Sequence, residues 1–251
     1  MVKRTTHSHH AYSAIREQIT SGQLSPGAVV SEAALAKQLG LSRTPVGEAL
    51  RRLAHEGLVD QIPRYGTVVR SLSTEELREL FEIREALEGM AAAKAALNIS
   101  LAAIEEMEVL CEAIDAEIQA ARARGESALE GDALNRFLAA DMSFHMHIIG
   151  AARNRRLSAL LEQTRSISSM FHARRGVHSL ERVIDANQWH RKILAALVDR
   201  DPDRASQLVV SHVQHSCSQS LLAPELSDAP VRFDLMSPQA SLPGGVGSLR
   251  Q

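Results

Sequence analysis

Aromatic residues are scarce in this chain of 251 residues: one Trp, two Tyr and five Phe, 3% in all. Sheet-dominated cores lean on aromatic and β-branched side chains, so a β-sandwich is disfavoured. Cysteine is nearly absent too. Cys111 and Cys217 show no C-x-x-C spacing and read as free thiols in a reducing compartment. No run of apolar residues approaches the ~18 that a membrane span needs, and the N-terminus lacks the apolar core of a signal peptide. A cytoplasmic protein is expected, with no membrane partner. What is abundant is Ala and Leu, within a hydrophobic content of 45%, and this composition favours packed helices.

The formal net charge of −2 conceals an asymmetry. Residues 1–71 hold nine Lys and Arg against five Asp and Glu, whereas residues 72–251 hold nineteen against twenty-five. A small basic unit joined to a larger acidic one suggests two tasks, with the basic unit the candidate surface for a polyanion.

Residues 1–8 are expected to be a disordered start. Tyr12, Ile15 and Ile19 then space a short amphipathic helix from about His9 to Ser21, which Pro26-Gly27 ends. Ser31 can cap a helix over 32–39 that Gly40 stops, and Ser42 can cap the next, to about Glu56. Two short helices joined so tightly have a helix-turn-helix layout. Leu58–Ile62 and Thr67–Arg70 read as strands joined by a turn at Pro63-Arg64-Tyr65-Gly66, a hairpin placed as a wing. A recognition helix reads base edges with its N-terminal residues, here Ser42, Arg43, Thr44 and Pro45. Arg51, Arg52 and Arg64 are candidate phosphate contacts, with Tyr65 and Gly66 beside them at the hairpin tip.

Beyond a linker at 72–75 the chain reads as helix after helix. Ser73 with Glu76 has capping-box spacing, and helices are expected at about 74–97, 101–123, 129–150, 154–175, 179–198 and 201–220, with no strand among them. The expected fold is mainly α: an N-terminal winged helix-turn-helix over 9–71 and a C-terminal all-α antiparallel helical bundle over 76–222. Residues 223–251 are rich in Pro, Ser and Gly and are expected to be a disordered tail.

Three helices of the bundle carry histidine on an apolar stripe. Leu134, Phe137, Leu138, Asp141, His145 and Ile148 share one face; His190 lies among Val183, Ala186, Ile193 and Leu194, and His212 among Ala205, Leu208 and Val209. A carboxylate on a buried stripe must be paired, hydrogen-bonded or bound to a cation. Asp141, His145, His190 and His212 pointing at one interior suit a divalent metal ion such as Zn²⁺, Ni²⁺ or Mn²⁺. Arg84 also sits on an apolar face; it either pairs with Glu88 four residues on or clamps a carboxylate. Asn154 reads as a helix cap, and Thr164 and Ser168 can present hydroxyls to the same cavity.

The wording of the N-terminal unit is more specific than its pattern. Leu24-Ser-Pro-Gly27, Ser31-Glu32-Ala-Ala-Leu35-Ala36, Leu39-Gly40-Leu-Ser42-Arg43-Thr44-Pro45-Val46, Glu48-Ala49-Leu50 and Glu56-Gly57-Leu58-Val59 together resemble the GntR family of bacterial transcription regulators. The resemblance implies a winged helix-turn-helix that binds palindromic double-stranded operator DNA as a homodimer. The family usually has Arg where this chain has Gly47, and some members carry Arg at the position of Ala33. The Asp141-x-x-x-His145, His190 and His212 set is similar to that of the FCD class of this family. It implies an all-helical effector domain in which these four residues hold the metal and Arg84 and Asn154 face a small organic acid effector. The expected function is a ligand-responsive transcription regulator, more often a repressor. The competing expectations are a metal-dependent hydrolase or lyase on the same residues, and a DNA-binding protein with a purely structural metal. No His-Glu-x-x-His, nucleophile elbow or general base accompanies the ligands, which disfavours an enzyme.

Overall fold

The computed structural model describes residues 2–71, 73–174 and 177–221; the expected tail at 223–251 lies outside them. The first described element is helix α1 (Val2–Thr20), so residues 2–8, expected to be disordered, belong to it. The buried residues Ala11, Tyr12, Ile15 and Ile19 anchor α1 on the winged unit. Strand β1 (Val29–Val30) follows, then α2 (Glu32–Leu39) and α3 (Arg43–His55). The Ser31 hydroxyl accepts from Ala34 N–H, and Gly40 closes α2 at φ 64°, a left-handed conformation suited to glycine. Strands β2 (Val59–Ile62) and β3 (Gly66–Val69) form the wing, with Val59 opposite Val69 and Ile62 opposite Gly66. The short β1, which the sequence pattern did not reveal, adds to the far side of β3 in an antiparallel sheet of order β1-β3-β2. Val46, Ala49, Leu50 and Leu53 of α3 fill the core beneath.

The second unit is a bundle of α4 (Thr74–Asn98), α5 (Leu101–Ala123), α6 (Gly131–Ala151), α7 (Arg155–Arg174), α8 (Leu180–Val198) and α9 (Pro202–Leu221). Each expected helix is present within a few residues, and every start but that of α6 carries a side-chain cap. Ser73 and Glu76 make a reciprocal capping box, which places the start of α4 inside the expected linker at Thr74. Asp201 accepts from Arg204 N–H at 3.0 Å. Phe81, Met107, Phe144, Ile193, Leu197 and Val209 are buried in the main core. Helices α4 and α9 approach closely at Gly89, where a Cβ would lie 2.8 Å from Val210 Cγ2.

One feature departs from an all-helical reading. Strands β4 (Ala128–Glu130) and β5 (Val177–Ser179) pair antiparallel, with Leu129 opposite His178. Each has three residues, too few to establish an alternating pattern in sequence. Leu129 is fully buried against Phe137 and Val183, so this small sheet caps one end of the bundle.

Candidate metal centre

Helices α6, α8 and α9 bring Asp141, His145, His190 and His212 together, with one ligand atom from each lying within 4.8 Å of the others. His145 Nε2 and His212 Nε2 face one another at 3.2 Å. Two nitrogens that each lie about 2.1 Å from one ion stand roughly 3.0–3.4 Å apart, so this spacing fits a shared cation. His190 is fully buried, stacked on Phe144 with centroids 4.2 Å apart. Its Nε2 lies 3.3 Å from Asp141 Oδ1 without hydrogen-bond alignment. Neither ring nitrogen of His190, nor Nδ1 of His212, has a hydrogen-bond partner among the described residues. Buried polar atoms left so are costly, and coordination would use a lone pair on each ring.

The electrostatics place Asp141, His145 and His212 in their ligand forms. Burial, with Arg165 nearby, pushes the His145 imidazole down to about 4. Burial first, then the neighbouring histidines, hold His212 well below its ordinary value. Both rings are therefore neutral near pH 7. Burial acts in the opposite sense on Asp141, but His190, His145 and Arg165 outweigh it and hold the carboxyl well below the usual range. Asp141 is not fully buried as its stripe suggested: its side chain is 25% exposed, turned toward a cavity that the neighbouring helices leave open.

A second layer, which the sequence only partly disclosed, surrounds this set. Glu88 is 2% exposed and lies at the centre of it. Arg84 Nε donates to its Oε1 at 2.8 Å, and Arg165 Nη1 donates to both oxygens at 3.0 and 2.9 Å. His145 Nδ1 lies 3.4 Å from Glu88 Oε2, which turns Nε2 of that ring toward the other ligands. Arg165 also reaches Asp141 Oδ2 at 3.5 Å. Burial would raise the Glu88 carboxyl, but Arg165 and Arg84 hold it well below its ordinary value. The Arg84–Glu88 pairing that the i,i+4 spacing offered is present, and Arg84 also lines the cavity. Arg165 was missed, although Leu157, Leu161, Arg165 and Ser168 repeat at helical spacing, a stripe interrupted by one cation.

The cavity has a volume of about 630 Å³ and is bordered by Asp141, His145 and His212 on one side. Ser168 is on its wall, donating to Thr164 O at 2.7 Å and accepting from Arg84 Nη1 at 3.5 Å. Thr164 is not on the wall: its hydroxyl turns back onto Leu160 O and Leu161 O, as a Thr inside a helix often does. Asn154 is not there either; its Oδ1 accepts from Arg156 and Leu157 N–H at 3.2 Å and caps α7. Of the other histidines, His147 is partly exposed near Glu106 and His215 pairs with Asp185. His178 is buried on β5.

On the winged unit, Ser42, Arg43 and Thr44 are exposed at the start of α3, and Arg64, Tyr65 and Gly66 at the tip of the wing. Pro45 is buried, because the first turn of α3 packs it inward; it is not available to DNA. Arg51 is exposed, with Nε donating to Gly47 O at 3.3 Å. Arg52, a candidate phosphate contact, donates to Glu56 at 3.0 Å and lies 3.7 Å over the Tyr12 ring, with its side chain 53% exposed. It fastens α1 to α3.

Comparison with known proteins fits both units. Residues 79–215 match the FCD domain and residues 7–69 match the bacterial regulatory proteins of the gntR family. A probable D-xylose utilization operon transcriptional repressor of Paenarthrobacter nicotinovorans is 36% identical over 214 residues, 84% of this chain and 87% of that protein. The transcriptional repressor GlaR of Escherichia coli is 27% identical over 83% of this chain and 93% of its own length. Among solved structures, E. coli McbR/YncC superposes with a TM-score of 0.72 at 24% identity, over 85% of this chain and 96% of that one, a likeness of fold. This chain belongs to the GntR family of bacterial regulatory proteins and carries an FCD domain, and so is a DNA-binding transcriptional regulator rather than an enzyme.

Proposed function

We propose that the chain is a cytoplasmic, homodimeric repressor that holds one divalent cation on Asp141, His145, His190 and His212 and responds to a small organic acid beside it. The observation that carries this reading is the convergence of the four ligand atoms within 4.8 Å at the edge of a cavity. The donor set of one carboxylate and three imidazoles suits zinc, nickel or manganese. A bound divalent ion supplies a positive centre for a carboxylate oxygen, and the wall beside it holds Arg84. Glu88 neutralises only part of the two guanidinium charges, so an anion entering the cavity meets a favourable field. Double-stranded operator DNA is met by Ser42, Arg43 and Thr44 in the major groove, with Arg51, Arg64, Tyr65 and Gly66 at the backbone. Two relatives named as repressors support repression. The acid acts by binding one relative arrangement of the DNA-binding units more tightly than the other.

Elemental analysis of the purified chain tests the site. One zinc, nickel or manganese ion per chain is expected, and His190→Ala is expected to abolish it. A native protein free of metal would overturn the proposal. If metal were present but no acid in a broad panel altered operator binding in a gel shift, the site would be purely structural.

A further inference from the structure

The cavity beside the metal centre is shared between the two units. Its outer wall is helix α1 of the winged unit, through Tyr12, Ser13, Arg16, Glu17 and Thr20. Arg16 is half-buried, and its guanidinium donates to the Ser166 hydroxyl of α7. Among the described residues no carboxylate pairs with it. The two inner arginines differ, since both are bonded to Glu88. Arg182 also faces the cavity, its guanidinium turned onto Gln219 O, and among the described residues no carboxylate pairs with it. Away from the metal set, the lining therefore offers two guanidiniums without a carboxylate partner among the described residues, Arg16 on α1 and Arg182 on α8, against one carboxylate likewise without an ion-pair partner, Glu17. In the inner set the charges of Arg84 and Arg165 are matched by Glu88 and Asp141, leaving the charge of a bound cation uncompensated. Positive charge thus lines the space on α1 and α8 as well as beside the metal set. A volume of about 630 Å³ lies in the middle of the range for drug-sized ligands, well beyond what a short monocarboxylate fills.

We infer that the cavity takes an acid with two separated carboxylates, one at the metal and Arg84 and the other at Arg16, so that the ligand touches the DNA-binding unit itself. This rests on the acid-sensing reading above and adds the class of acid and the means of coupling. A carboxylate at Arg16 competes with Ser166 for the same guanidinium N–H groups. Ser166 belongs to a four-residue run of α7 in which Arg165 bonds Glu88, Ile167 packs in the winged-unit core and Ser168 meets Arg84. Binding at Arg16 therefore acts at the contact between α1 and α7, one residue from the metal site's own arginine.

The test is isothermal titration of the zinc-loaded full chain with matched acids of four to six carbons: butyrate and succinate, pentanoate and glutarate, hexanoate and adipate. Wild type is expected to bind at least one diacid about tenfold or more tightly than its monoacid partner, the scale of one charge-assisted hydrogen bond. Arg16→Gln is expected to lose that preference while keeping its zinc and its monoacid affinity. Arg16→Lys, which keeps the charge, is expected to retain most of it. A wild type that holds zinc yet binds neither series overturns the acid-sensing reading and this inference with it. A wild type that binds each monoacid as tightly as its diacid, or an Arg16→Gln variant with the full preference, overturns this inference alone.

Discussion

Glu88 shows how much a single residue can organise. Its side chain is 2% exposed, yet it accepts from two buried guanidiniums and orients a ligand imidazole. Removing one partner of a buried ionic group leaves the others uncompensated, at a cost of about 3–5 kcal/mol. Glu88→Gln keeps the volume and deletes the charge, and is expected to lower unfolding stability by that amount in urea denaturation of the metal-free chain. A loss below about 1 kcal/mol, the scale of an exposed ion pair, would mean that water screens the cluster. The i,i+4 spacing from Arg84 made the first of these bonds readable. The bonds from Arg165 were not readable, because no local rule brings residue 165 to residue 88.

At the scale of the element, the recognition helix is the clearest case. Helix α3 has the exposed N-terminus and buried inner face that its pattern required, but its interior glycine is unusual. A Cβ at Gly47 would lie 2.2 Å from Glu32 Oε1. Glu32 is half-buried, and its carboxylate also lies 3.9 Å from Arg43. The obstruction is the free end of a flexible side chain, so a larger residue at 47 displaces a carboxylate from the candidate DNA face instead of distorting backbone. Gly47→Arg adds a cation there and removes a helix-interior glycine worth about 1 kcal/mol against Ala. Operator affinity is expected to rise by about 1–3 kcal/mol, the value of one good base contact, in gel shifts at fixed salt. Unchanged affinity would place residue 47 outside the DNA interface.

At the scale of the whole molecule, the two units are joined by more than a linker. Ile167 of α7 is 7% exposed and belongs to the winged-unit core, with Cδ1 3.3 Å from where a Cβ on Gly57 would stand. Ile167→Ala removes a buried apolar side chain from a core it shares with another unit. It is expected to cost about 2–5 kcal/mol and to separate thermal unfolding into two transitions, read by calorimetry. A single transition at the wild-type temperature would show that the contact holds nothing together. The loss is also expected to weaken the effect of any bound acid on operator affinity, since a coupling free energy needs an element that both sites bias.

Local rules determined much of this protein from the sequence. Caps at Ser31 and Ser73, the stop at Gly40 and apolar repeats at helical spacing placed the helices within a few residues. The same periodicity put one Asp and three His on inward faces, so the candidate metal set was legible before any packing was known. The tertiary structure decided which polar groups meet across helices. It turned Asn154 and Thr164 onto their own backbone, buried Pro45, committed Arg52 to Glu56 and Tyr12, and opened the cavity between α1 and the bundle. The division has a physical reason. Helix starts, stops and faces depend on residues within about four positions of one another, whereas ion pairs and cavities depend on distances between segments that are far apart in the chain.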